Sequence, residues 1–298
     1  MPIIQANGVE LAYDSFGEAD ATPVLLIAGL GTQRIRWTAP FCQDLAARGL
    51  RVIRFDNRDS GQSTPFSHAG TPDFAAMMAG RKPQIPYTLE DMAADALGLL
   101  EALDIERAHV VGRSMDGMIA QIMASRHPER VLSLTSIMAS SGNPFLPAPE
   151  PDVMAMIMGP SPDPRVDEAG YVAHCLRFAR QIAAPCLPFD EAGQRALILE
   201  ELRRGWHPGA PARQMAAIAT DGDRRERLAE ITAPSLVIHG TADPLFPLPH
   251  GEDTAAAIPG ARLLAIRGMG HDLARPFHAG IIDAIVQMVR RARPVRGS

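Results

Sequence analysis

Two hydrophobic patterns alternate along the chain. Short, nearly continuous apolar runs occur at Val24–Ala28, Arg51–Phe55, His109–Val111, Val131–Met138, Ser235–Ile238 and Leu263–Ile266. Runs of this kind predict strands buried on both faces of a parallel sheet. Between them, apolar residues recur at helical spacing. Phe41 and Leu45 mark a helix over 40–47. Leu89, Met92, Ala96, Leu99, Leu100 and Leu103 mark a second, and Met118, Ile119, Ile122 and Met123 a third. Thr88 stands where a helix cap belongs, with Asp91 at the capping-box position three residues later. A last amphipathic helix is predicted over 278–290. At the start, Asn7-Gly8 between two extended stretches predicts a hairpin. Strands alternating with helices imply the α/β class, a mostly parallel central sheet flanked by helices.

Two stretches interrupt the alternation. Residues 64–87 are rich in Pro and Gly and predict a long surface excursion with one helical turn and a small apolar patch, Phe74–Met78. Residues 142–230 carry no strand pattern, only helical fragments at Met154–Met158, Tyr171–Ile182 and Gln194–Arg204. We read them as a mainly helical cap inserted between the two parts of one core, 1–141 and 231–298. A chain of 298 residues has room for both.

Composition narrows the function. Hydrophobic residues make up 46% and charged residues 21%, an ordinary globular balance. A net charge of -5 argues against a nucleic-acid partner, which would call for a basic face. The 3 cysteines, Cys42, Cys175 and Cys186, are neither paired nor in ligand spacing, so no disulfide framework or zinc site is expected. The N-terminus lacks a basic stretch followed by an apolar one, and no apolar run reaches the ~18 residues of a membrane span. The expectation is a cytoplasmic enzyme, monomer or homodimer.

In parallel sheets, reactive groups gather at the C-terminal ends of strands, and three candidates lie there. Ser114, in Gly112-Arg113-Ser114-Met115-Asp116-Gly117, stands between a strand and a helix, where a sharp turn lifts its hydroxyl out of the sheet. His271 follows the Gly268-Met269-Gly270 turn, and Asp243 follows the strand at 235–238. Their roles would be nucleophile, general base and the acid that orients the imidazole. Asp272 is the runner-up acid, but a sequence neighbour folds back onto His271 with difficulty. Two backbone N–H groups would form an oxyanion hole: Met115, at a helix N-terminus, and Leu30, in the turn Ala28-Gly29-Leu30-Gly31. For Gly29, Trp37, Met154, Trp206 and Phe178, and for Met77 and Met78, two readings stand: pocket lining or core packing.

Taken together, Ala28-Gly29-Leu30-Gly31, Asp56-Asn57-Arg58-Asp59-Ser60-Gly61-Gln62-Ser63, Gly112-Arg113-Ser114-Met115, Gly240-Thr241-Ala242-Asp243-Pro244 and Gly268-Met269-Gly270-His271 resemble the α/β-hydrolase superfamily over nearly the whole chain. Within it, Arg58-Asp59-x-Gly61-x-Ser63 and the stretch from Pro244 to His250 are similar to small-molecule methylesterases such as aclacinomycin methylesterase. The resemblance implies carboxylic ester hydrolysis with no cofactor and no metal. The cap and the Met-rich excursion point to a small to medium, mainly apolar substrate, cleaved through an acyl-enzyme. Lactone or C–C bond hydrolysis, acyl transfer and perhydrolysis use the same residues, and a non-catalytic ligand-binding relative is a further alternative. One position departs from the family pattern. Asp116 stands where a small residue usually follows the nucleophile by two, with Gly117 one place later. We expect Asp116 to cap the helix, with Arg113 offsetting its charge, and to tune catalysis without abolishing it.

Overall fold

A computed structural model describes residues 2–74 and 84–292. Eight strands form one sheet: β1 (Ile3–Ala6), β2 (Val9–Phe16), β3 (Thr22–Ile27), β4 (Leu50–Phe55), β5 (Ala108–Arg113), β6 (Val131–Ile137), β7 (Ser235–Gly240) and β8 (Arg262–Ile266). Their order is β1-β2-β4-β3-β5-β6-β7-β8. The first hairpin turns at Asn7 and Gly8, both at positive φ (48° and 77°), the requirement of a tight turn that matches strand twist. β1 and β2 are antiparallel, as are β2 and β4, and every later pairing is parallel.

Alternate residues of each central strand feed two separate cores. Leu25, Ile27, Ile53 and Val110 pack with α2 (Leu89–Ala102) and α3 (Met115–Arg126) on one face. Val24, Leu26, Val52 and Val111 pack with α1 (Ala39–Ala46) and, at the far end of the chain, α10 (His278–Arg291) on the other. Such two-sided burial explains why these strands read as continuous apolar runs. At the start of α2 the capping box forms in full. Thr88 Oγ1 accepts from Asp91 N–H (3.1 Å), and Asp91 Oδ2 accepts from Thr88 N–H (2.8 Å). In the excursion after β4, a short 3-10 turn spans Ser67–Ala69. Met77 and Met78 lie outside the described residues.

Between β6 and β7 the chain carries α4 (Pro151–Met158), α5 (Glu168–Ile182), α6 (Glu191–Arg204), α7 (Ala210–Asp221) and α8 (Arg225–Leu228). Here α5 and α6 share a small core of their own, built on Val172, Leu176 and Ile198. In contrast, α7 and α8 contribute Ala217 and Leu228 to the core beneath the sheet. No periodic signal announces α7, because the residues it buries include Arg213 and Gln214 among alanines. β7 leads into α9 (Pro249–Ala257), which packs against β7 and β8.

Candidate active site

The turn from β5 into α3 is sharp, and Ser114 sits on it at φ 55°, ψ −127°. A residue with a Cβ rarely adopts this backbone conformation, and such strain persists only where the surroundings impose it. Two glycines make room for the turn. A Cβ on Gly112 would stand 1.9 Å from Asp116 O, and one on Gly117 would stand 2.6 Å from Ala139 Cβ. The close approach of helix to strand is therefore served by Gly117 rather than by the residue before it. Ser114 N–H donates to Ile137 O of β6 (2.9 Å), which ties the turn to the sheet.

Ser114, His271 and Asp243 come together at the strand ends. Ser114 Oγ lies 2.9 Å from His271 Nε2, and His271 Nδ1 lies 2.7 Å from Asp243 Oδ2. With Nδ1–H donating to the carboxylate, Nε2 is left as the acceptor for the serine hydroxyl. Asp243 Oδ1 accepts from the N–H groups of Leu245 (2.9 Å) and Phe246 (2.8 Å), so the carboxylate is held from both sides. Burial opposes its ionisation. The His271 ring, its hydrogen bond and the Phe246 N–H outweigh burial and hold the carboxyl below the usual range. The Phe246 ring stands edge-on to His271, with centroids 5.6 Å apart. Asp272 turns away and accepts from Ala184 N–H (3.1 Å), so it does not compete for the imidazole.

Met115 is the first residue of α3, which aims its N–H along the helix axis toward the serine. The turn carrying Leu30 lies close by, since a Cβ on Gly29 would stand 3.6 Å from Ser114 Cβ. That turn is held by a residue that the sequence does not announce: Gly31 N–H donates to Gln214 Oε1 of α7 (2.7 Å). Gln214 Nε2 also donates to Arg58 O (3.3 Å) and Ser60 Oγ (3.2 Å), joining the turn after β3 to the turn after β4.

Asp116 does not cap α3. Its Oδ2 accepts from Asn57 Nδ2 (2.8 Å), while Asp116 Oδ1 and Asn57 Oδ1 have no partner among the described residues. Full burial pushes this carboxyl well above the usual range, against the Asn57 hydrogen bond and the charge of Arg113. The group that the sequence presents as a negative charge is thus driven toward its neutral form. Arg113 does not pair with it; no ion pair of Arg113 exists among the described residues.

The other pocket candidates divide. Trp37 is a correction. It is fully buried between β3 and α1, where its Nε1 donates to Ile27 O (3.0 Å) and its ring packs on Phe41. An apolar ring with one polar atom is satisfied there, so it presents nothing to the site. Met154 is 38% exposed on α4. Trp206 lines a cavity of about 70 Å³ between the inserted helices and the turns after β3 and β4, with Gly31, Tyr171, Ile198 and Leu202 among its walls. Phe178 is half-buried on α5.

Ion pairs clamp the inserted helices to the core. Arg213 of α7 holds Asp59 through Nε (2.6 Å) and Nη2 (2.9 Å), and Tyr87 Oη donates to the same carboxylate (2.8 Å). Arg204 of α6 reaches Asp56 (2.7 Å), and Arg36 pairs with Glu201. The C-terminal end of α5 touches the histidine loop, with His271 N–H donating to Ile182 O (2.8 Å). Among the described residues, no group of three His, Cys, Asp or Glu is placed to hold a metal ion, and no helix is long and apolar enough to cross a membrane.

Comparison with known proteins agrees with this architecture. Residues 22–274 match the model of the alpha/beta hydrolase fold family. The chain is 32% identical to a rhodomycin D methylesterase of Streptomyces sp. (strain C5), over 97% of this chain and 98% of that one. It is 28% identical to a 2-hydroxy-6-oxononadienedioate/2-hydroxy-6-oxononatrienedioate hydrolase of Cupriavidus pinatubonensis, over 89% and 87%. Among solved structures, the enol-lactonase from Burkholderia xenovorans LB400 superposes with a TM-score of 0.73 at 24% identity, covering 97% of this chain and all of that one, which speaks for the fold.

Proposed function

Because the chain belongs to the α/β-hydrolase family, we propose that it is a carboxylic ester hydrolase that works through an acyl-enzyme on Ser114. The observation that carries this reading is the unbroken chain of contacts from Asp243 through His271 to the strained Ser114. The likeness to a methylesterase over nearly the full length supports ester hydrolysis in particular.

In this reading Ser114 Oγ attacks the ester carbonyl as His271 Nε2 takes its proton, forming a C–O bond and an imidazolium. Asp243, held ionised, stabilises that cation and fixes the ring. The Leu30 and Met115 N–H groups receive the charge that develops on the carbonyl oxygen. His271 then gives its proton to the departing alcohol, and the acyl group remains on Ser114. A water molecule, deprotonated by the same Nε2, attacks the acyl-enzyme and releases the acid. We assign residues 142–230 the role of a cap that shapes the substrate site and limits water. A small to medium, mainly apolar substrate fits the methionines of the inserted segment, Met154, Met156 and Met158 of α4.

The test is labelling with a fluorophosphonate probe, together with turnover of p-nitrophenyl esters of increasing acyl length, in native protein and Ser114→Ala. Labelling and turnover present in the native protein and lost in the variant are expected. A native protein that neither labels nor turns over any ester would return the chain to the ligand-binding reading.

A further inference from the structure

Arg113 is the residue between Gly112 and the nucleophile, and its side chain has no use in the mechanism above. Its Nε is buried without a hydrogen-bond partner, and the guanidinium forms no ion pair among the described residues. A half-buried arginine with its Nε left in this state is uncommon, because desolvating part of a cation is costly unless a counter-charge receives it. Desolvation, with the Arg36 charge adding to it, lowers its pKa to about 10, which still leaves it charged at neutral pH. The nearby carboxylates favour the cation through space, but none forms an ion pair with it among the described residues. Glu201 is bound by Arg36 through Nε and Nη2, Asp272 accepts from Ala184 N–H, and Asp116 is driven toward its neutral form.

The cation nevertheless lies beside the nucleophile. Arg113 is only half-buried, so its guanidinium keeps some exposure while its Nε does not. A methyl group at Gly29 would be 3.6 Å from Ser114 Cβ and 3.8 Å from Arg113 Nε. Nucleophile and cation therefore stand on two sides of the space that a side chain at Gly29 would fill, beside the oxyanion turn.

We propose that Arg113 is a carboxylate-binding subsite, and that the substrate is an ester carrying one free carboxylate near the scissile carbonyl, such as a half-ester of a dicarboxylic acid. The proposal rests on the esterase reading and refines it: a mainly apolar body with a single anionic end. The bound carboxylate supplies the direct ion pair that Asp272, Asp116 and Glu201, which favour the charged guanidinium only through space, do not make. Its charge-assisted hydrogen bonds to a planar guanidinium fix the distance from that end to the ester.

The experiment compares monomethyl adipate with its uncharged counterpart, monomethyl adipamate, in native protein, Arg113→Gln and Arg113→Lys. We read the ratio of kcat/KM for the two esters within each protein, so that a general loss of activity cancels. The native ratio is expected to favour the half-ester by about tenfold, the size of one charge-assisted contact, carried mainly by KM. Arg113→Gln should bring the ratio close to one, and Arg113→Lys should restore part of it. A native ratio near one, or a preference that survives in Arg113→Gln, would overturn the subsite. Should the glutamine variant fail to fold, the native protein alone decides: hexanoate should protect Ser114 from the fluorophosphonate at lower concentration than hexanamide. Equal protection would refute the proposal. Failure of the esterase reading looks different, since neither ester would then turn over and Ser114 would not label.

Discussion

The residues around the nucleophile show how one substitution is absorbed at atomic scale. Asp116 sits where a small neutral residue would be expected, yet burial, working against the Asn57 hydrogen bond, drives it from a charge toward a neutral hydrogen-bond acceptor. Its folded pKa lies above the unfolded value. The folded state therefore holds this proton more tightly, and stability falls as pH rises from the ordinary carboxylate range through the folded pKa. Asp116→Asn keeps an acceptor for Asn57 without the ionisation. We expect it to match the native melting temperature near pH 4 and to exceed it by about 2–4 °C at pH 8, for roughly 1 kcal/mol or more of relieved desolvation. Thermal unfolding across that range checks this, and a variant less stable than native at pH 8 would refute it. Gly117 is the glycine that the elbow needs. Gly117→Ala places a methyl 2.6 Å from Ala139 Cβ, so esterase turnover should drop at least about tenfold, a displacement of the nucleophile being enough for that. Near-native turnover in Gly117→Ala would mean that the elbow has slack which the contact distance denies.

At the scale of elements, α7 is the piece that joins the inserted helices to the catalytic turns. Its inward face is polar, with Arg213 holding Asp59 and Gln214 holding Gly31 N–H. Burial works against Asp59, but Arg213, the Phe66 N–H and Tyr87 more than offset it and depress its pKa. A depressed carboxylate contributes stability above its unfolded pKa and loses it as pH falls through the folded value, which places the acid limb below about pH 4. Arg213→Met leaves a fully buried carboxylate without its cation. It should cost about 3–5 kcal/mol in urea unfolding at pH 7 and much less at pH 3. A cost that does not change with pH would show that lost packing, rather than lost pairing, is responsible. Gln214→Leu removes the acceptor for Gly31 N–H and frees the turn that carries Leu30. The expected signature is a kcat lowered about tenfold with KM little changed, since oxyanion contacts form only in the transition state. A change confined to KM would place Gln214 in substrate binding instead.

Across the whole molecule, the inserted segment behaves as two structures. Helices α5 and α6 rest on their own small core of Val172, Leu176 and Ile198, whereas α7 and α8 are built into the main one. Few buried apolar contacts mean low local stability. Amide hydrogen exchange should therefore be fastest in α4–α6 and slowest in β3, β5 and β6, with α7 grouped with the sheet. If α7 exchanged together with α5 and α6, the insertion would open as one cap and the division made here would fail.

How much of this was legible beforehand depends on the range of the interactions. Strands, helices and the order of motifs are written in local patterns, and so were the Asn7-Gly8 turn, the Thr88 cap and the strand-end positions of Ser114, Asp243 and His271. Each of these rests on periodicity or on residues a few positions apart. What the tertiary structure alone decided involves partners distant in sequence. Asn57 meets Asp116 across 59 positions and Gln214 meets Gly31 across 183, and no local signal marks such a pair. Trp37 looked like a pocket residue because it follows the oxyanion turn, but a short 3-10 turn, Arg34–Arg36, carries it back under the sheet. Helix α7 was hidden because its buried face is polar, and burial there is stabilised by charges on other elements. The sequence by itself determined which groups could react. Burial and long-range pairing decided which of them are charged, which are held in place, and which, like Arg113, are left without a partner.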